Sequence, residues 1–115
     1  MDPVTPVGRF APTPSGRMHL GNVFSAMLAW LSVKSRDGEM VLRMEDLDTQ
    51  RTSPEFAQIL REDLTWLGLT WDRETPAQST RGAVYDPYFD LCSRRACCIP
   101  ATAPAVSSTA STRPT

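Results

Sequence analysis

The stretch VGRFAPTPSGRMHLGNVFSAMLAWLSVKSRDGEMVLRM, residues 7–44, decides the fold. Val7 to Ala11 is a short extended run, ended by Pro12 and Pro14, and Ser15-Gly16-Arg17-Met18 is loop chemistry. Asn22, a favoured N-cap residue, opens a helix over about 22–36, in which Phe24, Met27, Leu28 and Leu31 recur at helical spacing. Gly38 stops that helix. Glu39 to Met44 is then a mostly apolar strand of the kind whose two faces are both covered in a parallel sheet.

Working outward, an acidic turn runs from Glu45 to Arg51, and Ser53-Pro54 opens a second helix over about 53–67. Phe56, Ile59, Leu60, Leu64 and Leu67 form its apolar face, and Gly68 ends it. Leu69-Thr70-Trp71 is a short strand, and another helix begins within Tyr85 to Leu91. The order strand, helix, strand, helix predicts an α/β fold with a parallel sheet and right-handed crossovers. Such sheets bind ligands beyond the carboxyl ends of their strands. The two unusual loops, Pro12 to Gly21 and Glu45 to Arg51, both follow strands and are expected to open on that side.

Composition narrows the function classes. All acidic residues lie between Asp2 and Asp90, thirteen against nine Lys and Arg, so this body is near −4. It is not a broad basic platform, and any RNA contact is expected to be local. Ser25 and Ser32 interrupt the longest apolar stretch, no run is long enough to span a bilayer, and there is no secretory signal. Cys92, Cys97 and Cys98 form neither a disulfide framework nor a zinc spacing. A cytoplasmic protein away from membranes is expected, with zinc ligands absent and no metal site of its own.

In the first loop two prolines stiffen the chain, and Gly16 and Gly21 let a polyphosphate approach the backbone. The helix N-terminus beyond offers unpaired N–H groups and the positive end of a dipole. His19 can donate a hydrogen bond to charge developing as pyrophosphate leaves. Arg9, at the end of the first strand, is read as a buried cation in need of a partner. Its guanidinium suits a carboxylate in bidentate geometry, and an internal pair with Glu45 or Asp46 is the plain structural alternative.

These segments resemble glutamyl-tRNA synthetases of class I. Gly8 to Asn22 is similar to the family signature, with His19-Leu20-Gly21-Asn22 as a variant of the "HIGH" motif. Leu42 to Arg51 resembles "LRxEDxDxxR", Trp66 to Asp72 resembles "WLGLxWD", and Gln78-Ser79-Thr80-Arg81 with Tyr85 and Phe89 resembles "QSxRxxxYxxxF". Tryptophans at the third motif are expected to pack, and Ser79 to cap the following helix. The resemblance implies a Rossmann-like nucleotide-binding domain with His19 as a catalytic residue. It implies ATP, arriving with its Mg2+, held by Pro12, Ser15, Gly16, His19, Gly21 and Asn22. L-glutamate would be held by Arg9, Ala11, Thr13 and Glu45, with Arg9 on its side-chain carboxylate and Glu45 orienting Arg9 or receiving the α-ammonium group. Transfer would go to tRNA(Glu) or, in the glutamyl-Q branch, to the queuosine of tRNA(Asp). The Gly8-Arg9 and Thr13-Pro14-Ser15-Gly16 wording is nearer to that branch.

The resemblance spans residues 7 to about 91, so residues 1–91 are read as the N-terminal part of the catalytic domain. Beyond Ala96 the chain is almost entirely Ala, Thr, Ser and Pro. Back-translating Cys97 to Pro104 and shifting by one base allows Leu-Tyr-Pro-Cys-Tyr-Cys-Thr-Arg, close to a family stretch. Residues 92–115 are therefore read as a disordered, out-of-frame tail. With a single lysine the sequence holds no "KMSKS"-like loop, so weak or absent catalysis is expected. Rival readings are a glutaminyl-tRNA synthetase, whose pocket would balance donors and acceptors, and a non-catalytic binding module that keeps the fold.

Overall fold

The computed structural model describes residues 5–95 and Cys97. The chain folds as two compact units that divide at Gly82. The first unit contains β1 (Val7–Phe10), α1 (Leu20–Lys34), β2 (Glu39–Leu42), α2 (Pro54–Trp66), β3 (Arg73–Glu74) and a 3-10 turn over Gln78–Arg81. The second contains nearly all of α3 (Gly82–Arg94).

The three strands form one parallel sheet in the order β1-β2-β3, with Arg9 opposite Val41 and Val41 opposite Arg73. Parallel pairing of residues 7–10 with 39–42 is what the helix between them requires, since no short turn joins the two. Pairing continues past the strand ends, where the N–H groups of Arg43 and Glu45 donate to the carbonyls of Phe10 and Pro12, each at 3.0 Å. The core lies on one side of the sheet, where Ala26 of α1 and Leu60 and Leu64 of α2 meet Leu42 and Met44, with Phe10 and Trp71 packed against them. Strand alternation therefore sends Arg9, Arg43 and Glu45 to the other side.

Several local expectations need correction. The cap of α1 is His19, not Asn22, because the helix starts at Leu20. Asn22 sits in the first turn and accepts the His19 N–H at 3.3 Å. The stripe Phe24, Met27, Leu28 and Leu31 is exposed, and Ala26 and Val33 face the sheet instead. These small and branched residues allow close approach: a Cβ on Gly8 would come within 3.1 Å of Val33. At the end of α1 it is Asp37, not Gly38, that turns left-handed, at φ 51°. Gly38 is needed for space, since a Cβ there would lie 2.4 Å from the Pro6 carbonyl oxygen.

Ser53 caps α2 as expected, accepting the Phe56 N–H at 3.2 Å, and Gly68 ends it at φ 75°. The third strand is Arg73–Glu74 rather than 69–71. Leu69 is still bound to the end of α2 through Leu64, and the Thr70 carbonyl accepts Trp30 Nε1. Trp66 is 86% exposed against the packing expected of it, whereas Trp71 is half-buried on the core. Ser79 lies in the 3-10 turn and does not cap α3, which begins at Gly82 and continues past Leu91 to Arg94. The tail read from composition lies, apart from the first few positions and Cys97, outside the described residues.

Candidate functional site

The loops after β1 and β2 leave neighbouring parallel strands at the same end, so their chemistry gathers along one rim of the sheet. The first loop, with the start of α1, shapes a cleft of about 370 Å³. Ala11, Pro12, Thr13, Ser15, Gly16, His19 and Asn22 line it, joined by Arg17. Its volume is in the range of small-molecule sites. Arg9, Gly21 and Glu45 do not line this cleft. Arg9 and Glu45 instead fall, by strand alternation, on the side of the sheet opposite α1 and α2.

His19 is built into the helix start. Its Nδ1 accepts the Gly21 N–H at 3.1 Å, which leaves the ring proton on Nε2, a donor not used by the cap. Gly21 serves this contact: a Cβ there would lie 3.0 Å from His19 Cε1. Gly21 thus makes room for the imidazole. Gly16, at φ 156° with nothing within 4 Å of where a Cβ would stand, keeps the loop open. Arg17 anchors this loop to α2 through a 2.7 Å ion pair with Asp63, a contact that no spacing in the sequence announces.

The acids of the second loop are committed to neighbours other than Arg9. Glu45 is paired with Arg43. Asp46 accepts the Ser79 N–H at 2.8 Å and the Ser79 hydroxyl at 2.6 Å. Burial pushes the Asp46 carboxyl up, but the bonds from Ser79 outweigh it and hold the group below the ordinary carboxylate value. The alternative in which Arg9 pairs with Glu45 or Asp46 is therefore not realised. Arg9 is exposed, not buried, and makes no hydrogen bond or ion pair among the described residues. Arg43 Nε and Thr75 Oγ1 are buried without partners on the same side of the sheet.

A second cleft, of about 430 Å³, opens between the acidic turn and the start of α2, lined by Pro14, Asp46, Thr49, Thr52, Ser53 and Ser79. No sequence pattern revealed it, although the "QSxR" wording pointed at Ser79. Among the described residues no cluster of three or more His, Cys, Asp or Glu is placed to hold a metal ion, and no helix is long and apolar enough to cross a membrane.

Comparison with known proteins agrees with the fold. The family of class I tRNA synthetases for glutamate and glutamine, catalytic domain, matches residues 6–93. A glutamate–tRNA ligase of Hyphomonas neptunium is 47% identical over 85 residues, covering 74% of this chain and 19% of that protein. A glutamyl-Q tRNA(Asp) synthetase of Deinococcus radiodurans is 46% identical over 99 residues, covering 80% of this chain and 33% of that one. The crystal structure of a glutamate tRNA ligase from Elizabethkingia meningosepticum, in complex with its amino acid, superposes with a TM-score of 0.72 at 36% identity, over 78% of this chain and 20% of that one. The chain thus spans between a fifth and a third of the length of these relatives. It belongs to the catalytic-domain family of the class I tRNA synthetases for glutamate and glutamine.

Proposed function

We propose that the chain supplies the amino-acid-binding and nucleotide-binding part of a glutamate–tRNA ligase. In that reaction an α-carboxylate oxygen of L-glutamate attacks the α-phosphorus of ATP. The bond to the β-phosphate breaks, and pyrophosphate leaves with its Mg2+. A tRNA hydroxyl then takes the glutamyl group from the adenylate, and AMP leaves. Arg9 takes the side-chain carboxylate, Glu45 the α-ammonium group, and Ala11 and Thr13 the floor between them. Pro12, Ser15, Gly16, Gly21 and Asn22 frame the nucleotide. His19 donates from Nε2 to a phosphate oxygen as negative charge grows there. A cytoplasmic setting belongs to this reading, as does the expectation that residues from 92 on derive from a shifted frame, which the nucleotide sequence around codons 90–98 tests.

The observation that carries the reading is the uncommitted Arg9. Its guanidinium stands at the rim of a parallel sheet while both nearby acids are engaged elsewhere. A cation left without a partner favours an anionic side chain over a neutral amide. Titrating the 15N-labelled chain with glutamate and with ATP tests it. Arg9→Met should abolish the glutamate-induced shifts and spare those caused by ATP; glutamate shifts that survive the substitution refute the assignment. Transfer to the queuosine of tRNA(Asp) is the second reading, favoured by relatives of that kind at comparable identity.

A further inference from the structure

The end of α3 brings two thiols together. The helix stops at Arg94, so Cys92 is its third residue from the end. The Cys97 N–H donates back to the Cys92 carbonyl at 3.0 Å, and the Arg95 N–H to the Leu91 carbonyl at 3.2 Å. The first is the six-to-one bond that commonly closes a helix, and in that turn the side chains of the two bonded residues meet. Had α3 run on through Cys97, the pair would stand about 140° apart around its axis. Instead a single backbone bond holds their Cα atoms within about 6.5 Å, inside the span a disulfide accepts. Cys97 Sγ lies 3.5 Å from the Arg95 carbonyl oxygen, so its side chain folds back over the helix end. Both thiols are free and exposed, open to a reagent from solution.

We propose that Cys92 and Cys97 form a dithiol modification site that closes to an intramolecular disulfide by exchange with a small disulfide such as oxidised glutathione. One protein thiolate attacks a sulfur of the reagent, the reagent's S–S bond breaks, and a first glutathione thiolate leaves. The second cysteine then attacks the protein sulfur of the mixed disulfide, the Cys92–Cys97 bond forms, and a second glutathione thiolate leaves. The two protons given up by the protein thiols go to the two departing thiolates, so the reagent is reduced as the pair is oxidised. Local charge suits an anionic reagent, because Arg94 and Arg95 stand between the cysteines and no acid follows Asp90. A bridge as exposed as this one belongs to the labile class that exchange also reopens. The proposal rests on the turn at the end of α3 and not on the choice of substrate.

The test treats the reduced full-length chain with millimolar oxidised glutathione at neutral pH, blocks the remaining thiols and maps tryptic peptides by mass. Cleavage after Arg94 and Arg95 separates the two cysteines. A Cys92–Cys97 bridge therefore appears as one species joining residues 82–94 to the peptide that begins at residue 96, and dithiothreitol splits it. Bridged chains should outnumber those left with a mixed disulfide by roughly tenfold, because the second attack is intramolecular. In urea, where the turn is lost, that ratio should fall several-fold. Cys98→Ser should keep the bridge, whereas Cys97→Ser should abolish it and leave mixed disulfides. Unresolved mixed disulfides, a main product joining Cys97 to Cys98 within one peptide, or disulfide-linked dimers overturn the proposal. So does a bridge that survives Cys97→Ser, one lost in Cys98→Ser, or a ratio unchanged by urea. The peptide map of the unsubstituted chain decides the matter even where a variant fails to fold.

Discussion

The proposed reading gives His19 two duties on separate atoms: Nδ1 holds the helix start, and Nε2, left free of the cap, would serve the phosphate. His19→Ala should lower the stability of the first unit by about 1 kcal/mol, the usual cost of a lost N-cap. His19→Asn should restore most of that loss but none of the donor to phosphate, so thermal melting and ATP-induced shifts are expected to part company. Equal effects of the two variants on both readouts would show that the ring does not divide its roles. Asp72 offers a second residue-scale test. Its carboxylate accepts Lys34 Nζ at 2.6 and 2.8 Å and the Met40 N–H at 2.6 Å. The Lys34 bond first, then the Met40 bond, lower its pKa below 3.8 against an opposing desolvation. A carboxyl depressed on folding stabilises fully above its unfolded pKa, and that contribution vanishes as pH falls through the folded value. Urea midpoints should therefore drop below about pH 4, and the drop should be shallower in Asp72→Asn. An unchanged slope in that variant would remove Asp72 from the account.

Among the elements, the helix ends set the register of the sheet. Gly38 passes the Pro6 carbonyl where a Cβ has no room, so Gly38→Ala must shift backbone and should cost about 1–3 kcal/mol in chemical denaturation. Gly68 has open space around it but a left-handed φ of 75°, so Gly68→Ala should cost only about 1 kcal/mol. Similar losses at the two sites would contradict the distinction between crowding and strain. The pairs Arg61–Glu74, at 2.6 Å, and Lys34–Asp72 then tie α2 to β3 and α1 to the segment just before β3. Both are partly exposed and serve alignment more than stability.

For the whole molecule, the described residues offer one candidate phosphate cradle. The first cleft offers the His19 loop and α1, and the sequence holds only one lysine, within α1. Losing a single oxyanion-type donor costs about 10²–10³ in rate, so the chain alone should show negligible glutamate-dependent pyrophosphate exchange. Labelled-pyrophosphate assays with and without glutamate and tRNA measure this, and robust exchange would show that these 115 residues suffice for activation.

The sequence by itself determined the parallel α/β order, the second helix with its Ser53 cap and Gly68 stop, and the loops that form the rim. Those features are local: apolar periodicity, a capping hydroxyl and a left-handed glycine act within a few residues of themselves. Tertiary structure decided what local signals cannot carry. Periodicity marks α1 as apolar on Phe24, Met27, Leu28 and Leu31 but not which flank meets the sheet, and close approach at Gly8 selected the smaller side with Ala26 and Val33. Likewise the acids at 45 and 46 were visible as a cluster; the Glu45 pairing with Arg43, two residues away, is local, while the Asp46 pairing with Ser79 depended on segments brought together only by the fold. Arg9 makes no hydrogen bond or ion pair among the described residues, while Glu45 is held by Arg43 and Asp46 by Ser79, and the second of these contacts joins residues far apart in the chain.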